Sequence, residues 1–101
     1  MVSEDFQKQA MVFKALGHPS RLLIVHALSE RERTVGEIQE IVGASLPTVS
    51  RHLQILREAG VIQGTKVGSS IICTLSTPCL VNVLTCLGDV RSGCCHQSPK
   101  Q

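Results

Sequence analysis

Cys94 and Cys95 are the residues of this chain whose type and spacing point most directly to chemistry. They are adjacent, they follow Gly93, and they fall outside the apolar period of the preceding segment, so packing explains them poorly. Thiolates favour soft, thiophilic ions. Trivalent arsenic or antimony takes three thiolates in a trigonal pyramid, and this pair supplies two. The sequence therefore predicts a site for As(III) or Sb(III) at these two cysteines.

The third ligand of such a site has several candidates. Cys86 lies eight residues before Cys94, which is about 12 Å along a straight helix. That is too far for two thiolates on one ion, so a shared site requires the chain to fold back after Gly93, or a cysteine from a second subunit. Cys79 and His96 are the other candidates, and a Cys-Cys-His cluster with one more ligand also suits Zn(II).

Oxidation is a second chemistry open to the same thiols. Cys94 or Cys95 can be oxidised or persulfidated, with Cys79 or Cys86 as the resolving thiol, if it is exposed and has thiolate character. A direct disulfide between the adjacent cysteines is strained and is the least favoured product. Cys73 differs, because it lies in a segment rich in β-branched residues, where we expect a small buried side chain.

A group of polar residues opens an amphipathic helix in the middle of the chain. Val49, Leu53 and Leu56 recur at helical spacing and predict a buried stripe. Gly60 can end this helix in the left-handed conformation, and Ser45 is expected to cap its start through the hydroxyl. The candidate DNA-contacting residues at its start or off its stripe are Ser45, Pro47, Thr48, Ser50, Arg51, His52 and Gln54.

The neighbouring segments predict a helix-turn-helix followed by a β-hairpin. In order, they are a helix from about Val35 to Val42, a turn at Gly43-Ala44, the amphipathic helix, a strand from Val61 to Val67, a tight turn at Gly68-Ser69 and a strand from Ile71 to Leu75. This arrangement lays its second helix in the major groove of DNA. Lys66 and Ser69 lie on the hairpin and join the predicted DNA contacts.

The remaining segments are also mainly helical. We expect helices from Glu4 to Leu16, from Arg21 to Ser29 and from about Thr77 to Arg91, with a solvated loop over the charged residues 29–34. Structural roles are expected for His18, His26 and Arg21, the last in a hydrogen bond or an ion pair. The final helix carries a broad apolar stripe, which Cys79 and Cys86 share, and the stripe is too apolar for a monomer. A dimer is the economical explanation.

Length and composition agree with one small domain. The chain has 101 residues, 43% of them hydrophobic, and a net charge of +2, so charge alone does not indicate nucleic acid. We assign residues 1–95 to the domain and 96–101 to a flexible tail. No apolar stretch approaches the ~18 residues of a membrane span, and MVSEDFQKQ is unlike a secretory signal. We therefore expect a cytoplasmic protein, not bound to membranes, with reduced thiols.

Three segments resemble the winged-helix repressors of the ArsR/SmtB family. They are ALGHPSRLLIVHAL, TVGEIQEIVGASLPTVSRHLQILREAGVI and KVGSSIICTL, and the resemblance extends from about Phe13 to Leu75. It implies a mainly α winged helix-turn-helix with a small β-hairpin wing, dimeric through the first and last helices. Two residues depart from the family pattern: Leu46 stands where Gln is frequent, and Ser69 stands where the wing tip usually carries Arg.

The resemblance also implies a function. A homodimer would bind a double-stranded operator without any cofactor and leave it when an inducer binds, here As(III) or Sb(III) at Cys94 and Cys95. Two alternatives remain: a redox- or persulfide-sensing repressor of the same fold, and a non-sensing, constitutive DNA-binding protein with incidental cysteines. An enzyme is disfavoured, because the sequence has no paired carboxylates, phosphate loop or nucleophile elbow.

Overall fold

The computed structural model describes residues 3–88 as five helices and a three-stranded antiparallel sheet. The elements are α1 (Glu4–Ala15), α2 (Pro19–Glu30), β1 (Arg33–Thr34), α3 (Val35–Val42), α4 (Leu46–Glu58), β2 (Ile62–Val67), β3 (Ser70–Leu75) and α5 (Leu80–Gly88). The mainly α winged helix-turn-helix predicted from the sequence is confirmed. The predicted helix end at Arg91, the inducer residues Cys94, Cys95 and His96, and the tail 96–101 lie outside the described residues.

The core forms where α2, α3 and α4 meet the sheet. Ile24, Ile38 and Leu56 come from the three helices and are completely buried. Val61 and Cys73 close the core from the sheet side, as expected for a small side chain at position 73. Because each helix buries only one side, the outer faces are available for other contacts.

The sheet contains one strand more than the predicted hairpin. β1 pairs with β3 through Arg33 opposite Cys73, and β3 also pairs with β2. The prediction of a solvated loop over residues 29–34 is therefore wrong. Arg33 explains the difference: its Nε donates to the Ala27 carbonyl at 3.2 Å, and its guanidinium pairs with Glu30 at 2.8 Å. Because the guanidinium of Arg33 is paired at the end of α2, the backbone of Arg33 can pair with β3 while its charge is satisfied.

The first helix of the helix-turn-helix is fixed at both ends. Thr34 Oγ1 accepts from the Glu37 N–H at 3.1 Å, and Glu37 Oε1 accepts from the Thr34 N–H at 2.9 Å, which completes a capping box. The backbone hydrogen bond from Thr34, and then the side-chain bond from Arg31, hold the pKa of Glu37 below its usual value. At the other end, Gly43 takes φ 74° and turns the chain into α4.

The last helix begins later than its apolar pattern predicts. Leu80, not Thr77, is its first residue. The preceding residues form tight turns, in which the Leu80 N–H donates to the Thr77 carbonyl at 3.0 Å and the Val81 N–H donates to the Pro78 carbonyl at 3.2 Å. Pro78 disfavours helical backbone at the residue before it, so the regular helix starts after this turn.

Two apolar faces are left uncovered within residues 3–88. Phe6 and Phe13 on α1 are 63% and 61% exposed, and Leu87 on α5 is 56% exposed beside the exposed Val83. Leu84 differs, because it enters the core of its own domain. No helix within residues 3–88 is both long and apolar enough to cross a bilayer.

The capping box yields a stability prediction. Thr34→Val keeps a β-branched residue in β1 but removes the hydroxyl that caps α3, and we expect a loss of about 1 kcal/mol. For a domain of this size, that lowers the midpoint of thermal unfolding by about 4–8 °C. Thr65→Val, on the exposed face of β2, is the matched control and should leave the midpoint unchanged. Equal midpoints for the two variants would contradict a stabilising role for the cap.

Candidate nucleic-acid interface

The start of α4 lacks the side-chain cap that the sequence predicts. Ser45 occupies the N-cap position with extended backbone, as expected, but its hydroxyl makes no cap bond. The hydroxyl donates instead to Thr48 Oγ1 at 3.0 Å. The first-turn N–H groups of α4 receive no acceptor from Ser45, and such groups at a helix start favour the oxygens of a phosphate.

The outer face of α4 is polar and open. Its inner stripe is buried as predicted, whereas Thr48, Arg51 and Gln54 follow one another at three-residue steps on the exposed side. Gln54 Nε2 donates to Glu58 Oε2 at 3.2 Å, so its amide is partly engaged. Pro47 and Ser50 are exposed as well. The structure thus brings these predicted residues together on one accessible surface.

His52 has a different environment from the rest of the predicted set. Its ring packs against that of His18, with centroids 4.6 Å apart and planes inclined by 49°. Its Nδ1 is buried, with no hydrogen-bond partner among the described residues. Burial lowers the pKa of His52, and the charges of His18, Arg21 and Arg51 lower it further. The structure therefore places this ring against His18, at the start of α2.

The three other residues with expected structural roles differ in their environments. His18 caps α2, because its Nδ1 accepts from the Ser20 N–H at 3.1 Å, so its structural role is confirmed. Arg21 was expected to make a hydrogen bond or an ion pair, yet its buried Nε has no hydrogen-bond partner within residues 3–88. His26 is exposed on α2.

The wing projects beside the open face of α4. β2 and β3 pair from Ile62 opposite Leu75 to Val67 opposite Ser70, and Gly68 takes φ 62° in the connecting turn. Only a residue without a side chain takes this conformation readily, so the turn forms at the predicted place. Lys66 and Ser69 are both exposed on the wing.

An open groove of about 580 Å³ separates α4 from the wing. Leu46, Ser50 and Arg57 line its helix side, and Ser69 and Ile71 line its wing side. The side chain of Arg57 packs beside Gly64 of β2: a Cβ at that position would meet Ile71 Cγ2 at 3.4 Å and the Arg57 guanidinium at 3.7 Å, both ordinary van der Waals distances.

The groove also involves residues that the sequence analysis did not select. Thr34 of β1 and Gln39 of α3 contribute to its lining. No periodic pattern predicts β1, because it is two residues long. The cations of this surface, Arg51, Arg57 and Lys66, face one acid within residues 45–75, Glu58.

The described cysteines have distinct environments. Cys73 is a buried free thiol whose pKa is raised by that burial, although the charge of Arg57 opposes the shift. Cys79 is an exposed free thiol just before α5, and Cys86 is an exposed residue that takes part in a disulfide. Within residues 3–88, no three His, Cys, Asp or Glu side chains are grouped to hold a metal ion.

Comparison with known proteins gives a consistent answer. A family model described as "Bacterial regulatory protein, arsR family" matches residues 18–63. The transcriptional repressor SdpR of Bacillus subtilis is 39% identical over 69 residues, which cover 68% of this chain and 77% of the repressor. The chain belongs to the arsR family of bacterial regulatory proteins.

This arsR-family chain is also similar to a longer repressor and to a solved structure. The biofilm growth-associated repressor of Xylella fastidiosa is 40% identical over 67 residues, which are 62% of this chain and 59% of that protein's length. A homodimeric winged helix-turn-helix DNA-binding domain from Mycobacterium bovis has a TM-score of 0.80 and 25% identity, covering 95% of this chain and 90% of that chain. The chain thus shares its family and its fold with known transcriptional regulators.

Proposed function

We propose that this regulator is a cytoplasmic, homodimeric repressor that binds a pseudo-palindromic operator through α4 and the wing. The observation that carries the proposal is the exposed, uncapped start of α4 beside the wing. In a helix-turn-helix, the first residues of the second helix contact base edges, and helix N-termini and basic side chains contact phosphates. Ser45, Thr48, Ser50 and Arg51 have the polar groups that such contacts require.

The phosphate contacts follow from the charges around this start. Arg51 on α4, Arg57 in the groove and Lys66 on the wing are all exposed, and Glu58 is the one acid within residues 45–75. Ser69 offers a hydroxyl at the wing tip in place of a cation. We therefore expect fewer wing-to-phosphate ion pairs, and a binding energy that depends more on α4.

Dimerisation follows from the two uncovered apolar faces. Phe6 and Phe13 on α1, with Val83 and Leu87 on α5, expose large side chains that a small monomer does not readily leave in water. A two-fold interface between these helices covers both faces and presents two copies of α4 to adjacent turns of DNA. The similarity to a homodimeric domain supports this assembly.

The test of DNA binding concerns Arg51. If it contacts a guanine through both of its terminal nitrogens, Arg51→Ala should weaken operator binding by about 1–3 kcal/mol. Binding is measured by fluorescence anisotropy on an operator selected from random-sequence DNA. Lys8→Ala removes one cation from exposed α1 and should cost little at the same salt concentration. An operator affinity unchanged by Arg51→Ala, with the fold intact, would remove Arg51 from the interface.

The test of assembly uses Leu87, whose exposure separates dimerisation from folding. Leu87→Glu should leave the domain folded but yield monomers by sedimentation, and operator affinity should fall about 100-fold or more because two linked half-sites are lost. Leu84→Glu is unsuitable, because Leu84 is only 6% exposed within its own domain. Leu23→Glu, at an exposed leucine of α2, is the control that should remain dimeric. A dimeric Leu87→Glu variant would refute this interface.

For the signal, we propose a thiol-directed inducer that is bound by Cys94 and Cys95, with As(III) or Sb(III) as the first candidate. The support is the adjacent pair in the sequence, together with the environment of Cys73, which argues against that thiol as a ligand. Cys73 is buried with a raised pKa, so it is a poor ligand at neutral pH. Cys79, Cys86 and His96 remain as candidates for the third ligand. Zn(II) is a weaker candidate, because it prefers four ligands.

One observation favours the redox alternative. Cys86 takes part in a disulfide, whereas Cys73 and Cys79 are free thiols. In this alternative, oxidation joins Cys86 to Cys94 or Cys95, two thiols losing two electrons and two protons to an oxidant such as a peroxide, or to a persulfide donor. Both versions need the modified or liganded dimer to bind DNA more weakly than the free, reduced dimer.

The experiment that separates these signals measures operator release. Wild type should lose about 5- to 150-fold in operator affinity with the correct inducer, whereas Cys94→Ser, Cys95→Ser should bind DNA normally and stay bound. Release by As(III) under reducing conditions, reversed by a dithiol chelator, identifies ion binding. Release by oxidant or persulfide, reversed by dithiothreitol and accompanied by a Cys86 disulfide in peptide maps, identifies redox sensing.

Single variants assign the remaining ligand. Loss of response in Cys86→Ser or in Cys79→Ser names the partner thiol, and an intact response in both leaves His96 or solvent. Cys73→Ser should lower stability and leave the response unchanged. If the double variant responds to every ion and oxidant as wild type does, the cysteines are incidental, and the protein is a repressor with another inducer or none.

A further inference from the structure

We propose that Leu46 recognises the 5-methyl group of a thymine in each half-site of the operator. This inference rests on the proposed function and extends it, because it assigns one base contact to an apolar side chain. Leu46 is the first residue of α4 and is 49% exposed. Other large apolar side chains are exposed as well, but Leu46 stands at the start of the helix proposed to contact DNA, so its neighbour in the complex is a base edge.

Packing within the domain does not explain Leu46. The buried stripe of α4 is complete with Val49, Leu53 and Leu56, each of which is 3% exposed or less. Leu46 lies at the edge of that stripe and lines the groove towards the wing. The apolar faces that we assign to dimerisation are on α1 and α5, so the dimer does not require Leu46 either.

The position of Leu46 identifies its partner as a base edge. The first residues of the second helix in a helix-turn-helix approach bases in the major groove. Ser45, Thr48 and Ser50 surround Leu46 with hydroxyl groups that can donate to, or accept from, polar base atoms. Leu46 has no polar atom, so it cannot recognise the nitrogens and oxygens of guanine, cytosine or adenine.

Thymine has the complementary group. Its 5-methyl is the apolar group that the four bases present in the major groove, and apolar side chains recognise it. Ile71, exposed on the wing side of the same groove, is a second apolar surface near this edge. A thymine methyl in contact with Leu46 buries apolar surface of both groups, whereas any other base leaves the leucine exposed to water.

The experiment compares thymine with uracil, which differs by this methyl group alone. An operator is first selected from random-sequence DNA for wild type, and each thymine is then replaced singly by deoxyuridine. We expect one position per half-site at which the replacement weakens wild-type binding about fourfold, and about fifteenfold when both half-sites are changed. Binding is measured by anisotropy at one fixed salt concentration.

Variants of residue 46 show whether the leucine is responsible. Leu46→Ala and Leu46→Gln should bind thymine and uracil operators equally, and selection with Leu46→Gln should no longer enrich thymine at that position. Leu23→Ala removes an equally large exposed side chain from α2 and should keep the full uracil penalty. Because Leu46 is exposed, neither substitution is expected to unfold the domain, which circular dichroism checks.

The outcomes separate this inference from the function on which it rests. Selection that enriches no sequence for wild type contradicts the proposed operator binding, and the inference falls with it. Selection that yields an operator with no position sensitive to uracil overturns the role of Leu46 while operator binding stands. The same holds if Leu46→Ala and Leu46→Gln retain the wild-type penalty.

Discussion

The recognition surface depends on the one-sided burial of α4. Val49, Leu53 and Leu56 anchor this helix to a core shared with α2, α3 and the sheet, and that contact fixes both its axis and its rotation. The helix has 13 residues, and its buried stripe leaves Thr48, Arg51 and Gln54 on an open face. A rotation that buried Thr48 or Arg51 would expose the stripe, so the hydrophobic effect also orients the polar face.

The small size of the domain also bears on the proposed dimer. A domain of this size buries a smaller fraction of its surface than a large one does, and its stability is correspondingly small. Leu84 is committed to the domain's own core, while Leu87, one turn later, projects away from it. In the proposed dimer, α5 would contribute to folding through Leu84 and to assembly through Leu87, which couples the two.

Much of the fold could be predicted, because its helices and wing follow periodic patterns. The stripe of α4 predicts its buried side, and Gly43 and Gly68 predict the turns at which positive φ is required. β1 could not be predicted, because a two-residue strand has no repeating pattern and the charge of Arg33 suggests a solvent-exposed position. The role of Arg33 depends on the Ala27 carbonyl at the end of α2, which only the folded chain brings near.

The environments of the candidate DNA-contacting residues could also be predicted only in part. The exposure of Thr48 and Arg51 follows from helical spacing, which is a local property. The orientation of His52 does not, because it depends on His18 from another helix. Residue type predicts that the Ser45 hydroxyl accepts from a first-turn N–H, yet it makes no such bond and donates to Thr48 Oγ1. Local patterns thus predict which side of an element is open, whereas individual side-chain partners depend on tertiary neighbours.

In the proposed repressor, a signal bound by Cys94 and Cys95 must reach α4 through packed elements. α5 packs on α2, and α2 packs on both α3 and α4, with Leu84 in the core that they share. If α1 and α5 form the dimer interface, a change at the end of α5 also alters the angle between the two domains. The two copies of α4 must lie about 34 Å apart to enter successive major grooves. Because that spacing tolerates little rotation, a small shift at the interface suffices to weaken binding without any change within the recognition helix itself.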